Sequence, residues 1–370
     1  MKVALVSTQF AINFGAVLQA IALKKVITNI GHECEIINYR PNNKVDGRNV
    51  VYKFNSLKNF AYSSILFLNY KFRSDKKSKI LRFDKFVKEH GNLSPKKYSS
   101  YDELITQLPY YDCFVCGSDQ IWNLNLFRNL SFFLKFENLH PKSNYVAYAP
   151  SITEKLNPEQ FKELAKNISH FSSISLREKI GAVQLSEYLG YTVKNVLDPV
   201  FLLSKEEWIA LEEPLPLKEP YILNYGLVGA KNTAKLLKKA KDKYNLKIVN
   251  INIDPFNKYN ADYNITNLSP GNFIWLIRNA DFICSSSFHG MVFSIVFEKQ
   301  FLASPADYRN SRHANVLEII NSEERLVGAD DDLDVKLNLA PLDYQKVNAL
   351  LNEAKVESVE YLRNAINGKK

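Results

Sequence analysis

Hydrophobic and polar positions along this chain follow two periods in turn. Short apolar runs at Lys2–Ser7, Glu33–Tyr39, Tyr111–Cys116, Asn144–Tyr148 and Ser172–Leu176 read as strands. Between the first two, Ala16–Ile30 sets Val17, Leu18, Ile21, Val26, Ile27 and Ile30 on or near one helical face, and Gly31 ends the helix. A second alternation opens at Tyr221–Tyr225. It continues through a helix near Ala230–Tyr244, a strand at Lys247–Ile253, a helix near Pro270–Arg278, a strand at Ala280–Ile283 and a short strand at Phe301–Ser304. The tail Pro341–Ile366 reads as a long helix with a stripe of Leu342, Val347, Leu350, Leu351 and Val359.

Strands that alternate with helices predict parallel sheets covered on both faces. A chain of 370 residues exceeds one ordinary core. The expected fold is therefore α/β, with two Rossmann-like domains facing each other across a cleft. The N-terminal domain spans 1–205 and carries a basic, aromatic helical insertion near 53–90. A linker at 206–220 contains the proline- and charge-rich Glu212–Pro220. The C-terminal domain covers 221–340, and a closing helix covers 341–370.

Charge and cysteine usage narrow the class. The formal net charge is +9, and Lys71, Arg73, Lys76, Lys77, Lys79, Arg82, Lys85 and Lys88 cluster behind the aromatic stretch Phe60–Tyr70. This suits an amphipathic element on an anionic membrane surface, or a solvated basic helix beside a core helix. No recognised nucleic-acid motif accompanies the charge, so nucleic acid is not an expected partner. No apolar run reaches the roughly 20 residues that span a bilayer. The first residues read as a strand and not as a signal peptide. Four cysteines make no disulfide framework and point to the cytoplasm. Cys113-Phe114-Val115-Cys116 lies inside an apolar strand pattern without a second pair and reads as core. His32, His90, His140, His170 and His313 lack metal spacing and read as ordinary surface or core histidines. No metal or cofactor is expected.

Four segments stand where strands turn into helices. Cys284-Ser285-Ser286-Ser287-Phe288-His289-Gly290 places small hydroxyl residues and a histidine before an apolar helix. A helix N-terminus has unpaired N–H groups and a positive dipole end, so this turn can cradle phosphate with an acid/base beside it. Its simpler alternative is a capped strand–helix turn. Asn13-Phe14-Gly15-Ala16-Val17-Leu18-Gln19 offers a cap, a close backbone approach and no dinucleotide fingerprint. In Gly117-Ser118-Asp119-Gln120-Ile121-Trp122-Asn123, Asp119 can accept a sugar hydroxyl or act as a base. Gln120 and Asn123 can donate and accept, and Trp122 is either a platform for a sugar ring or a core anchor. In Ser175-Leu176-Arg177-Glu178-Lys179, Arg177 can grip a carboxylate or phosphate, or pair with Glu178. Asp198-Pro199 ends the next strand and orients the linker or borders the cleft.

In order and spacing, these segments resemble the polysaccharide pyruvyl transferase family, as do Val196-Leu197-Asp198-Pro199 and Trp208. The resemblance runs from about residue 1 to about residue 320. It implies a fold similar to GT-B glycosyltransferases. It also implies transfer of a pyruvyl group from phosphoenolpyruvate to a sugar of a cell-surface polysaccharide or its precursor, giving a ketal. On this resemblance His289 is the catalytic acid/base, with Asp119 as a second base or acceptor ligand. Arg177, Ser285, Ser286, Ser287, Gly290 and Arg312 hold the donor. Asn13, Gly15, Gln19, Gln120, Trp122 and Asn123 meet the acceptor. Ser287 stands where some members carry a second arginine, so Arg312 or Lys179 replaces that cation, or the subgroup uses another donor. The expected partners are phosphoenolpyruvate and a glycan on a polyprenyl carrier, met at the inner face of the membrane. A nucleotide-sugar glycosyltransferase of the same shape is the alternative, and a non-catalytic glycan or anion binder a third reading.

Overall fold

The two alternations close into two sheets in the computed structural model, which describes residues 1–41, 70–125, 129–152, 156–226, 233–251, 259–305 and 311–368. The first sheet holds seven strands: β1 (Lys2–Val6), β2 (Glu33–Tyr39), β3 (Leu93–Tyr98), β4 (Cys113–Cys116), β5 (Asn144–Ala147), β6 (Ser173–Leu176) and β7 (Lys194–Asn195). Their order is β3-β2-β1-β4-β5-β6-β7. The second sheet holds five: β8 (Tyr221–Tyr225), β9 (Lys247–Ile251), β10 (Tyr263–Ile265), β11 (Phe282–Ser285) and β12 (Phe301–Ala303), ordered β10-β9-β8-β11-β12. Among the described residues every strand pairing is parallel.

The helices of the first half are α1 (Phe14–Asn29), α2 (Tyr70–His90), α3 (Tyr101–Gln107), α4 (Pro158–Ile168), α5 (Lys179–Leu189) and α6 (Lys205–Ile209). Those of the second are α7 (Thr233–Tyr244), α8 (Pro270–Asn279), α9 (Phe288–Val296), α10 (Ser311–Ile319), α11 (Leu333–Leu337) and α12 (Tyr344–Ile366). In each sheet the strand order reverses beside the first strand, between β1 and β4 and between β8 and β11. Ligands of such sheets bind outside the carboxyl ends at this point. The turns after β1, β4 and β11 are the ones that carry Gly15, Asp119 and His289.

The hydropathy pattern does not predict β3 or β10. Both are edge strands, and the Pro95-Lys96-Lys97 centre of β3 is exposed. An edge needs no continuous apolar face and tolerates proline and lysine.

One apolar core runs through both sheets, joining Val3, Leu5, Val17 and Leu18 to Leu223, Phe273, Met291 and Val292. Phe14, the first residue of α1, stacks on Phe273 of α8 at 4.8 Å and meets Tyr225 edge-on at 5.8 Å. The stretch 206–220 is fastened in its first half. Trp208 is fully buried and donates from Nε1 to the Val200 carbonyl (3.1 Å), and Arg278 grips Glu212 with two bonds of 2.7 and 2.8 Å. Helix α12 returns to the first sheet, where Asn144 Nδ2 donates to the Ala365 carbonyl (2.7 Å) and the Leu197 N–H to Ser358 Oγ (3.0 Å).

Of the basic, aromatic insertion, residues 53–69 lie outside the described residues. Helix α2 buries Phe83, Phe86 and Val87 against the core and leaves Leu81, Arg82, Lys85 and Lys88 exposed. Cys113 and Cys116 are buried in β4, and burial pushes both thiols far up in pKa. Among the described residues no group of His, Cys, Asp or Glu could hold a metal ion, and no helix is long and apolar enough to cross a membrane.

Candidate active site

Arg177 leaves the end of β6 and precedes α5, and its side chain is 2% exposed. Its Nη1 donates to Asp198 Oδ2 at 2.6 Å, and its Nε lies 3.7 Å from Glu178 Oε1. Glu178 Oε1 in turn accepts a hydrogen bond from Ser151 Oγ. Asp198 caps the short turn after β7, accepting from the Val200 N–H at 3.0 Å. Burial alone would raise the Asp198 pKa. His289, Arg177 and the Val200 N–H outweigh it and hold the carboxyl well below the usual range. Burial is likewise outweighed at Arg177, where Asp198, Glu178 and Asp119 raise the pKa and keep the guanidinium charged. Two donors of that guanidinium, Nε and Nη2, are buried without a hydrogen-bond partner.

The turn from β11 into α9 meets this cluster from the other domain. Ser285 Oγ donates to the Tyr225 carbonyl (3.0 Å) and accepts from the Ser287 N–H (3.1 Å). Gly290 permits this packing, since a Cβ there would lie 2.1 Å from Ser285 Oγ. Ser287 is the N-cap of α9 and makes no side-chain cap bond. His289 Nε2 stands 3.6 Å from Asp198 Oδ2, beyond hydrogen-bond length, and is buried without a hydrogen-bond partner. Arg177 and His289, from different domains, therefore share one carboxylate.

Helix α10 adds a second cation. Arg312 lies 5.8 Å from the centre of the Phe288 ring, and Arg177 lies 4.6 Å over the same ring. Burial and the neighbouring Arg177 pull the Arg312 pKa to about 10, so it stays charged at neutral pH. The helix is fastened to the Arg177 turn: Asn315 accepts from the Lys179 N–H (3.0 Å) and donates to the Arg177 carbonyl (3.4 Å). Lys179 itself is exposed and pairs with Glu318 at 2.6 Å. Of the two cations expected in place of an arginine at 287, the structure brings Arg312 to the site and turns Lys179 away.

The residues assigned to the acceptor divide. Asn13 is exposed and caps α1 by accepting from the Ala16 N–H (3.1 Å). Asp119 has a positive φ of 68°, is partly exposed and accepts from Thr8 Oγ1 at 3.3 Å. Its charge reaches both Arg177 and Arg312. Gln120 is also partly exposed and accepts from Asn123 Nδ2 (3.2 Å).

Two assignments need correction. Trp122 is fully buried, donates to the Phe132 carbonyl (3.1 Å) and stacks on Phe133, so no sugar ring can reach it. Gln19 is fully buried with both ends used: Nε2 donates to Ser7 Oγ (2.9 Å) and Oε1 accepts from the Ser118 N–H (2.9 Å). It ties the β1 and β4 turns together and does not face a ligand.

Asp198, read as a linker or cleft-border residue, stands between Arg177 and His289, and His313, read as an ordinary surface or core histidine, is buried where the charge of Arg312 acts on it. For Asp198 a signal existed, a carboxylate at a strand end in the same sheet as Arg177.

Two Rossmann-like domains with facing helix N-termini and a cationic site between them define a GT-B-type scaffold. The chain is similar to the S. aureus MnaA–UDP co-structure, with a TM-score of 0.50 and 12% identity over 100% of this chain and 91% of that one. It is also similar to a UDP-GlcNAc 2-epimerase from Methanocaldococcus jannaschii (TM-score 0.49, 13% identity, 95% of this chain and 99% of that one). An α-glucosyltransferase in complex with UDP-glucose and DNA gives a TM-score of 0.49 at 8% identity, covering 99% of this chain and 94% of that one. At 12% identity the likeness to the first of these is one of fold. No curated protein is significantly similar in sequence. A model of the polysaccharide pyruvyl transferase family matches residues 13–307. The chain belongs to that family and is a transferase of polysaccharide biosynthesis.

Proposed function

We propose that this enzyme transfers the pyruvyl group of phosphoenolpyruvate to two hydroxyls of a sugar, forming a ketal and releasing phosphate. The observation that carries the reading is the shared carboxylate: Asp198 holds Arg177 at 2.6 Å and faces His289 at 3.6 Å, while Arg177 Nε and Nη2 and His289 Nε2 remain without hydrogen-bond partners. A small dianion or trianion with a carboxylate and a phosphate matches these donors, Arg312 and the uncapped N-terminus of α9.

In this scheme His289 delivers a proton to the methylene carbon of the donor, creating an electron-poor centre at C2. A first sugar hydroxyl adds there and gives up its proton to a base, either Asp119 or the neutral His289. The C2–O bond to phosphate breaks, and a second hydroxyl closes the ketal. Of the two hydroxyl protons, one balances the proton placed on the methyl carbon and the other leaves with phosphate. Arg177 and Arg312 offset the charge of the departing phosphate, and Asp198 keeps a counter-charge beside the histidine ring. Asn13, Gly15, Asp119 and Gln120 form the acceptor side.

The acceptor proposed is a glycan on a polyprenyl carrier, met at the inner membrane face. The exposed Leu81, Arg82, Lys85 and Lys88 on one helix support that location. The test is incubation of the protein with phosphoenolpyruvate and a panel of glycosides, following phosphate release and the mass gain of one pyruvyl group. Turnover abolished by both Arg177→Ala and His289→Ala supports the proposal. Silence across the panel, with thermal stabilisation by nucleotide sugars and none by phosphoenolpyruvate, overturns it.

A further inference from the structure

His313 has no part in the scheme above, yet it lies inside the site. It is 2% exposed, and neither Nδ1 nor Nε2 makes a well-formed hydrogen bond; the one polar contact on the ring is a weak one from the Ser287 backbone. A buried polar group left unpaired costs about 1–3 kcal/mol. Core histidines avoid that cost: the buried His140 places Nε2 3.0 Å from the Leu108 carbonyl. His313, more deeply buried than His32, has no bond of that quality.

The surroundings say what kind of partner is missing. The imidazole stands perpendicular to the Phe288 ring at 5.7 Å, and that ring also carries the guanidinium of Arg177 at 4.6 Å and of Arg312 at 5.8 Å. Asn315, two residues further along α10, is bonded to the Arg177 carbonyl, so the imidazole is held in register with the arginine turn. Burial, then Arg312 and Arg177, pull the His313 pKa to about 3, whereas the weak hydrogen bond with the Ser287 backbone opposes them. The ring is neutral, with one nitrogen a donor and the other an acceptor. A neutral donor beside two guanidiniums suits an anionic oxygen, since a third fixed cation would add repulsion between the site's own groups.

We propose that His313 is a donor-binding residue whose ring N–H donates a hydrogen bond to an anionic oxygen of the ligand held by Arg177 and Arg312. The identity of that ligand as phosphoenolpyruvate rests on the pyruvyl-transfer reading, and the binding of an anion does not.

The experiment uses the full-length protein with two probes, phosphoenolpyruvate and inorganic phosphate. Imidazole 15N resonances are recorded with and without each probe, and the His313 pair is assigned from its loss in His313→Gln. Binding constants are measured for wild type, His313→Ala and His313→Gln. We expect the His313 nitrogens to shift on saturation with either anion. His313→Ala should weaken anion binding about tenfold, and His313→Gln, which keeps a donor, should recover most of it. If His313→Ala does not fold, the 15N shifts of the wild type still decide. Nitrogens unmoved at saturation, or unchanged affinity in a folded His313→Ala, overturn the proposal. If inorganic phosphate moves the His313 nitrogens and phosphoenolpyruvate does not bind, the anion role stands and the assignment of the donor falls.

Discussion

Gly15 and His289 touch across the cleft: a Cβ on Gly15 would lie 2.0 Å from Nδ1 of the His289 ring. The first turn of α1 in one domain is thus fitted to the first turn of α9 in the other. With Nδ1 against Gly15, Nε2 faces Asp198, 3.6 Å away.

Gly15→Ala should therefore act on catalysis more than on folding. Alanine favours a helix over glycine by about 0.5–1 kcal/mol, but its methyl cannot share the space of the imidazole. The ring or the domain contact must shift, and kcat/KM should fall about a hundredfold, as displacement of a reacting group by an ångström does. Steady-state kinetics beside a thermal melt would check this; near-normal turnover would mean the cleft opens before chemistry.

Breaking the shared carboxylate should cost stability as well as activity. Asp198→Asn removes the nearest counter-charge of the buried Arg177 cation and leaves Glu178 at 3.7 Å as its remaining close one, so a loss of about 2–4 kcal/mol is expected, below that of a buried pair with no other partner. Adding Arg177→Met to Asp198→Asn should recover part of that loss, while neither variant turns over. A double-mutant cycle by urea denaturation measures the coupling.

Lys79 gives a pH-dependent prediction. Its ammonium lies 4.8 Å over Phe14 and 5.7 Å over Phe83, and burial, with Lys76, pulls its pKa to about 8. The unfolded chain holds this proton more tightly, so between pH 8 and the ordinary lysine value stability rises with pH, and below pH 8 the full penalty is present. Lys79→Met should stabilise the protein by about 1–2 kcal/mol at pH 7, allowing for the partial exposure of the side chain. The gain should vanish as pH approaches about 10.5. Denaturation curves at pH 7, 9 and 10 would show whether the difference narrows.

Trp122→Phe tests the corrected role of that side chain. It removes the Nε1 bond to Phe132 and leaves a small cavity, so about 1–3 kcal/mol of stability should be lost. The KM for a glycan acceptor should not change. A selective rise in that KM at unchanged stability would return Trp122 to the acceptor site.

Much of the fold is legible in the pattern of residues. Tyr221–Tyr225 and Glu33–Tyr39 are strands with the bounds their apolar runs predict, because central strands of a parallel sheet are buried on both faces. The edge strand Leu93–Tyr98 is not legible, because its exposed Pro95-Lys96-Lys97 bears no mark of burial. Within the site, the turns of Arg177 and His289 can be picked out as polar residues at strand ends. The partnership of Asp198 with both cannot, since it depends on β7 lying beside β6 and on the second domain closing over them.

The sequence by itself determined the alternation of strands and helices, the two-domain plan and the polar turns from which the site is made. These follow from local periodicity and from residue types that only strand–helix turns accommodate. Tertiary structure alone decided which side chains meet. It sent Lys179 to Glu318 and Arg312 to the Phe288 ring, sealed Trp122 and Gln19 in the core, and buried His313 within reach of the charges of two arginines. The reason is physical: a side chain's charge and hydrogen bonds act over a few ångströms, and residues that near in space are here up to a hundred or more positions apart in the chain.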